Sequence, residues 1–267
     1  MFRPPARTSR CNTTSLSLDC SVRTPIVLDL FCGAGGMSLG FQMAGYTIGL
    51  GVEKETIPCS THRYNLGNHC YNGRIEDIED PKALISSYGL ATVVVVVGGP
   101  PCQGFSRVGR GKLRSLHGDP DFIHDPRNQY YLEFIRFVRE LQPIYFVMEN
   151  VPDMRNYADV DGLVIDQAMN QFRSLGYVVD WAVLRADNYG VPQTRHRLFL
   201  IGNRIGNTIL WPKKTHYHPR TVWDAIGDLP IINHNHRLTS LHVSPTLPPC
   251  NTLPTIVSPP IARGAAD

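Results

Sequence analysis

Cys102 and Glu149 carry the side chains in this 267-residue chain best suited to covalent chemistry. Cys102 follows Pro100 and Pro101, whose restricted φ holds the thiol in place. The loop behind it carries Arg107, Arg110, Lys112 and Arg114, cations that favour the thiolate. Glu149 ends an apolar run, where partial desolvation raises a carboxyl pKa and suits the group to donating a proton. A nucleophilic thiol and a carboxylic acid at neighbouring strand ends are the parts a covalent mechanism needs. Arg195 and Arg197 lie two residues apart where a further strand begins, so they share one side of it. Their guanidinium groups bind phosphate, brace a carboxylate or form a structural ion pair.

A glycine cluster marks a place where a ligand can approach the backbone. Cys32-Gly-Ala-Gly-Gly36 lies between an apolar run and a helix start, where free amides meet an incoming group. The next glycine is Gly40, so the spacing is not the G-x-G-x-x-G of dinucleotide enzymes. Gly33 and Gly35 therefore stand for a cofactor site or for a structural turn. Glu53, ending the second apolar run, is placed to accept from ribose hydroxyls or to stand as a solvated loop carboxylate. The chain has seven cysteines, an odd number with no Cys-x-x-Cys pair, which points to free thiols in a reducing compartment and to no metal site. Cys32, Cys59 and Cys70 read as buried and inert.

The elements that position these residues follow from the apolar pattern. Pro25 to Phe31 is a strand, Met37 to Ala44 a helix and Thr47 to Val52 a second strand. Ala91 to Val97 holds five valines without alternation, the pattern of a strand buried on both faces. Gln129 to Leu141 has helical spacing and stops before Pro143. Ile144 to Met148 is a further buried strand; a helix around Val164 to Leu175 and strands around Tyr177 to Leu184 and Arg197 to Gly202 complete the series. Strands alternating with helices predict a doubly wound α/β domain, with ligands at the carboxyl ends of the strands.

From Trp211 onward nine prolines fall in the remaining residues and periodicity fades. The expected organisation is a disordered leader over 1–24, a catalytic domain over 25–210 and an irregular, incomplete region over 211–267. The leader is rich in Ser, Thr and Arg with Asp19 as its one acid, and a transit segment or a misassigned start codon are the other readings of it. Hydrophobic residues at 42% and charged residues at 18% exclude disorder as the dominant state. The net charge of +3 tolerates a polyanionic partner without arguing for one. No run approaches the roughly 18 apolar residues of a membrane helix.

Four motifs, taken together and in order, closely resemble the C5-cytosine methyltransferase family. They are Asp29-Leu-Phe-Cys-Gly-Ala-Gly-Gly36, Gly98-Gly-Pro-Pro-Cys-Gln-Gly-Phe-Ser106, Glu149-Asn-Val151 and Gln193-x-Arg195-x-Arg197, and the similarity runs from about Pro25 to Pro230. The resemblance implies a Rossmann-like, doubly wound methyltransferase fold that binds S-adenosylmethionine, with Phe31, Gly33, Gly35, Glu53, Ile75 and Pro100 as cofactor contacts. It implies that Cys102 attacks C6 of a cytosine flipped out of duplex DNA while Glu149 protonates N3, with Arg195 orienting Glu149 or touching the base and Arg197 supporting the site. The loop from Arg107 to Arg114 then closes over the base and meets phosphates. A restriction-modification system is the implied setting, in the cytoplasm of a bacterium, or in a nucleus or organelle if the source is eukaryotic.

Two departures accompany the resemblance. The family's Gly-Asp-Ile is Gly73-Arg74-Ile75 here, so the adenine contact falls to the Ile75 backbone, to Asp77 or to neither. The family's late motifs and most of its target-recognition region are absent, which leads to the expectation of a second polypeptide that supplies them. A tRNA cytosine-C5 methyltransferase and an inactive remnant that only binds are the competing expectations.

Overall fold

The computed structural model describes residues 25–101, 130–159 and 162–229. The elements run β1 (Ile26–Leu30), α1 (Gly36–Met43), β2 (Thr47–Glu53), α2 (Thr56–Leu66), β3 (Cys70–Asn72), α3 (Pro81–Ser87) and β4 (Val95–Gly98). They continue with α4 (Tyr130–Leu141), β5 (Tyr145–Asn150), the short ribbon β6 (Ala158–Asp159) and β7 (Gly162–Leu163), α5 (Val164–Ser174), β8 (Val178–Arg185), β9 (His196–Asn203) and α6 (Val222–Ile226). Seven strands form one sheet in the order β3-β2-β1-β4-β5-β9-β8. The first five are parallel, whereas β9 is antiparallel to both β5 and β8. The last two strands form a hairpin because only a single 3-10 turn, Ala186–Tyr189, occupies the short connection, too little chain for a parallel crossover.

The valine run splits between two faces, as a strand under helices requires. Val95 and Val97 pack with Val27 and Ile48 beneath Met37 and Phe41 of α1. Val96 points the other way, into the larger core with Leu28, Leu30, Phe134, Phe146 and Leu200. Helices α4 and α5 bury Phe134, Phe137 and Val138, and Ala168, Met169 and Phe172, from one stripe each. The described residues up to Ala225 form one unit, and residues 226–229 belong to a second. No helix among the described residues is long and apolar enough to cross a membrane.

An aromatic stack fixes the centre of the larger core. The Phe146 and Phe172 rings stack at 4.0 Å, with Phe134 and Tyr177 edge-on to Phe146 at 6.2 and 5.2 Å. Tyr177 Oη donates to the Pro143 carbonyl at 2.6 Å and so cannot swing away without losing that bond. Gly202 of β9 lies against this stack, and a Cβ there would overlap the Phe146 ring. Gly202→Ala is expected to destabilise the protein by about 1–3 kcal/mol through overpacking, more than the strand propensity gained. Urea denaturation measures it, and an unchanged or higher midpoint would refute the account.

Candidate active site

The sheet order reverses between β1 and β4, and open α/β sheets bind ligands in the crevice such a reversal leaves. The chain leaves β1 through Phe31 with φ 58, a left-handed conformation that a residue with a side chain rarely adopts. Gly33 and Gly35 follow at φ 54 and 94, so the turn requires glycine at both. A Cβ on Gly35 would also strike Leu66 and His62 of α2, so this glycine lets the helix approach from behind. The Gly33 amide donates to Glu53 Oε2 at 2.9 Å, and the Glu55 amide to Oε1 at 2.8 Å. Glu53 thus ties the turn after β1 to the end of β2, each oxygen keeping a lone pair for a ligand.

Glu53 borders a cavity of about 120 Å³ whose walls include Phe31, Val52, Ile75, Pro101 and Tyr130. Phe31 and Tyr130 meet at 5.8 Å, tilted by 60°. Ile75 is held by Arg136, which donates to the Ile75 and Ile78 carbonyls at 3.0 and 2.9 Å. Pro100 lies behind this surface, buried, and its carbonyl accepts from Asn150 Nδ2 at 3.4 Å. The volume is small beside the roughly 300–1,000 Å³ of drug-sized sites, so it takes one end of a ligand. Apolar walls with a fixed carboxylate at the rim suit a heterocycle bearing hydroxyl groups.

Glu149 lies on the other side of the Gly99–Pro101 segment. A Cβ on Gly99 would come within 3.1 Å of Glu149 Oε2. Arg197 Nε pairs with Glu149 Oε1 at 2.7 Å, and Arg195 Nη2 approaches the same oxygen at 3.7 Å. The pairing of β9 with β5 sets Glu149 opposite Phe199, which brings Arg197 to the same face. Burial pushes the Glu149 carboxyl above its usual range, against Arg197 and Arg195, which pull it down. These three side chains border a cavity of about 730 Å³ together with Met37, Tyr189 and Phe199. Cys102 and the loop with Arg107, Arg110, Lys112 and Arg114 lie outside the described residues, and Pro101 is the last residue described before them.

Several participants were not expected from the sequence. Tyr130 and Glu76 wall the smaller cavity and are joined by a 2.9 Å hydrogen bond. Asp77 is not among the residues lining that cavity, while Ile75 is. Buried Asp29 accepts from the Ser38 amide at 3.0 Å and from Ser38 Oγ at 2.6 Å. Ser38 Oγ lies 3.2 Å from His62 Nε2, and His62 Nδ1 has no partner among the described residues. With Ser38 donating to Asp29, the imidazole donates from Nε2 and leaves Nδ1 as an unused acceptor. Burial, with the nearby His69 and Arg63, also lowers the His62 pKa. Beside this network Cys32, Cys59 and Cys70 are buried and free, with the Cys32 and Cys70 sulfurs 3.8 Å apart.

Burial pushes Asp29 up from 3.8 to about 7, only partly countered by its bonds from Ser38. The unfolded chain therefore releases this proton first, and the stability tied to a protonated Asp29 is lost as pH rises from about 4 to about 7. Asp29→Asn removes that titration. Between about pH 5 and pH 7 the wild type should lose roughly 2 kcal/mol relative to the variant, measured by urea unfolding at each pH. Parallel pH profiles would exclude Asp29 as the titrating group.

Comparison with known proteins gives this geometry its context. A family model for C-5 cytosine-specific DNA methylase matches residues 26–246. The type II methyltransferase M1.HphI of Haemophilus parahaemolyticus is 41% identical over 208 residues, which cover 77% of this chain and 53% of that protein. The type II methyltransferase M.AquIA of Picosynechococcus sp. is 37% identical over 228 residues, 76% of this chain and 88% of the relative. A prophage-encoded protein of E. coli described as a DNA modification methyltransferase superposes with a TM-score of 0.64 at 30% identity, over 78% of this chain and 56% of that one. The chain thus spans about half the length of M1.HphI and of the E. coli protein, and most of M.AquIA. The seven-stranded sheet is the Rossmann-like methyltransferase fold expected from the motifs. The chain belongs to the C-5 cytosine-specific DNA methylase family.

Proposed function

We propose that the protein transfers a methyl group from S-adenosylmethionine to C5 of cytosine in DNA, as the modification half of a restriction-modification system. The observation that carries the reading is Glu149, held by Arg197 at the edge of a large cavity and in contact range of the segment leading into Cys102. Its relatives' names, type II methyltransferases, support the setting. The same relatives support action on DNA in a bacterial cytoplasm. Target recognition is assigned to surface outside the described residues, on this or a second polypeptide.

The smaller cavity fits one end of S-adenosylmethionine. Phe31, Ile75 and Tyr130 would enclose the adenine, Glu53 would accept from the ribose, and the turn through Gly33 and Gly35 would shape the rim. When bound, the cofactor supplies an electrophilic methyl group.

Cytosine C5 is a poor nucleophile, and the residues on the Glu149 side correct that. The Cys102 thiolate forms a bond to C6 while the Glu149 proton moves to N3, leaving C5 with enamine character. Partial burial raises the Glu149 pKa and so favours its holding that proton, and Arg197 and Arg195 fix its carboxyl and offset the charge left behind. Once C5 carries its new methyl group, loss of the C5 proton to water breaks the C6–S bond and expels the Cys102 thiolate, and N3 returns its proton to Glu149. The base must leave the duplex to reach these groups.

Trapping tests the scheme, because a fluorine at C5 cannot leave as the proton does. With S-adenosylmethionine and random-sequence duplexes containing 5-fluorocytosine, the purified chain should form a complex stable to denaturation. Cys102→Ser should abolish it, and Glu149→Gln should slow its formation about 10²–10⁴-fold. A complex that survives Cys102→Ser, or methyl transfer to tRNA with none to duplex DNA, would overturn the reading.

A further inference from the structure

Residues 188–223 contain six Lys and Arg side chains and three histidines but no carboxylate, although the whole chain holds 26 basic and 23 acidic residues. Arg195 and Arg197 are spent on Glu149. Most of the rest sits on the segment 211–220, which has little regular structure yet is firmly attached. Trp211 Nε1 donates to Asp180 Oδ2 at 2.7 Å, and Tyr189 Oη to the Pro212 carbonyl at 3.0 Å. The Thr215 and His216 amides both donate to the Asn188 carbonyl, at 3.0 and 2.9 Å. Gly190, at φ 84, passes so close to the His216 ring that a Cβ would lie 2.7 Å from it.

These bonds clasp the segment to the β8–β9 connection, which itself walls the Glu149 cavity through Tyr189 and Val191. Pro212 reaches the cavity too, so Lys213 and Lys214 follow directly from its rim. Lys213, Lys214 and Arg220 are exposed, and neither lysine has a carboxylate partner among the described residues. The carboxyl closest in sequence to Arg220 belongs to Asp224, which accepts from the Thr221 amide and hydroxyl, both at 2.8 Å, and feels the Arg220 charge without forming an ion pair with it. A firmly bonded strap of exposed cations that starts at the rim of a cavity, and whose own residues include no carboxylate, concentrates positive potential where a polyanion would enter.

We propose that this strap is a phosphate clamp: Lys213, Lys214 and Arg220 hold backbone phosphates flanking the base that enters the Glu149 cavity. The inference rests on the reading of the chain as a DNA methyltransferase and adds the surface by which the catalytic part itself grips the duplex. Such contacts fix register and orientation and carry no sequence information. They should therefore act on any duplex and be sensitive to salt.

The test is the salt dependence of duplex binding by the full chain, followed by fluorescence anisotropy on random-sequence DNA between about 50 and 200 mM salt. Removing three phosphate contacts with Lys213→Gln, Lys214→Gln and Arg220→Gln together should lower the slope of log K against log salt by about 2–3. Affinity at the lower salt should fall roughly 10- to 100-fold. Lys82→Gln, on α3, should leave the slope unchanged, and S-adenosylhomocysteine should bind the triple variant as it binds the wild type. A wild-type slope in the triple variant overturns the clamp and leaves the methyltransferase reading intact. Loss of S-adenosylhomocysteine binding in that variant also overturns it, by making the strap structural. A wild-type chain that binds no duplex at all overturns both.

Discussion

Strands β1 and β4 run side by side as far as Leu30 and Gly98 and then part. A Cβ on Gly98 would collide with the Leu30 carbonyl, so the pairing can continue to this point only because residue 98 has no side chain. Everything chemical hangs from that parting. One chain turns away through Phe31 into the glycine turn, and the other runs through Gly99, Pro100 and Pro101 toward Cys102. The space between them is the crevice that an order reversal creates in a parallel sheet. A bulkier residue at 98 would push β4 out of register before any residue of the site was touched.

The site that results is held by opposed forces. Desolvation favours a neutral Glu149, whereas Arg197 and Arg195 favour the carboxylate. Burial wins the contest in direction, raising the pKa of a group that has to give up a proton. Asp29 shows the same physics with a larger effect: deeper burial and no guanidinium beside it leave burial dominant. The two carboxyls differ because Arg195 and Arg197 stand beside one, whereas among the described residues Ser38 is what hydrogen-bonds the other.

Legibility from sequence followed how much each element's burial pattern shows. The stripes of α4 and α5 are strongly patterned and those helices stand where the periodicity put them, whereas β4, expected from Ala91, begins only at Val95 and runs to Gly98. The spacing of Arg195 and Arg197 predicted a shared face, and both meet Glu149. Helix α2 was not legible, because it buries only Cys59 and His62 while Ile57 and Tyr64 are exposed. Its pattern does not point inward. Strand β3 is three residues long and carries no period at all. Helix α3 did have a readable start, with Asp80 capping the Lys82 and Ala83 amides and Pro81 at its first turn. Tyr130 and Glu76 meet at the smaller cavity from elements 54 residues apart, a proximity no local pattern encodes. The antiparallel edge was missed for a related reason: strand periodicity is the same in either direction.

That antiparallel edge has a consequence for how the site tolerates insertion and deletion. Glu149 and Arg197 meet because Arg197 stands an even offset, two positions, from Phe199, the partner of Glu149. The loop between β8 and β9 can change length without altering this. Inside β9, losing one residue would send both arginines through the sheet toward the Phe146 stack, whereas losing two would keep them on the correct side. The catalytic face is thus governed by parity, and natural length variation in this family member should be confined to even steps within β9 and be free of that rule in the preceding loop.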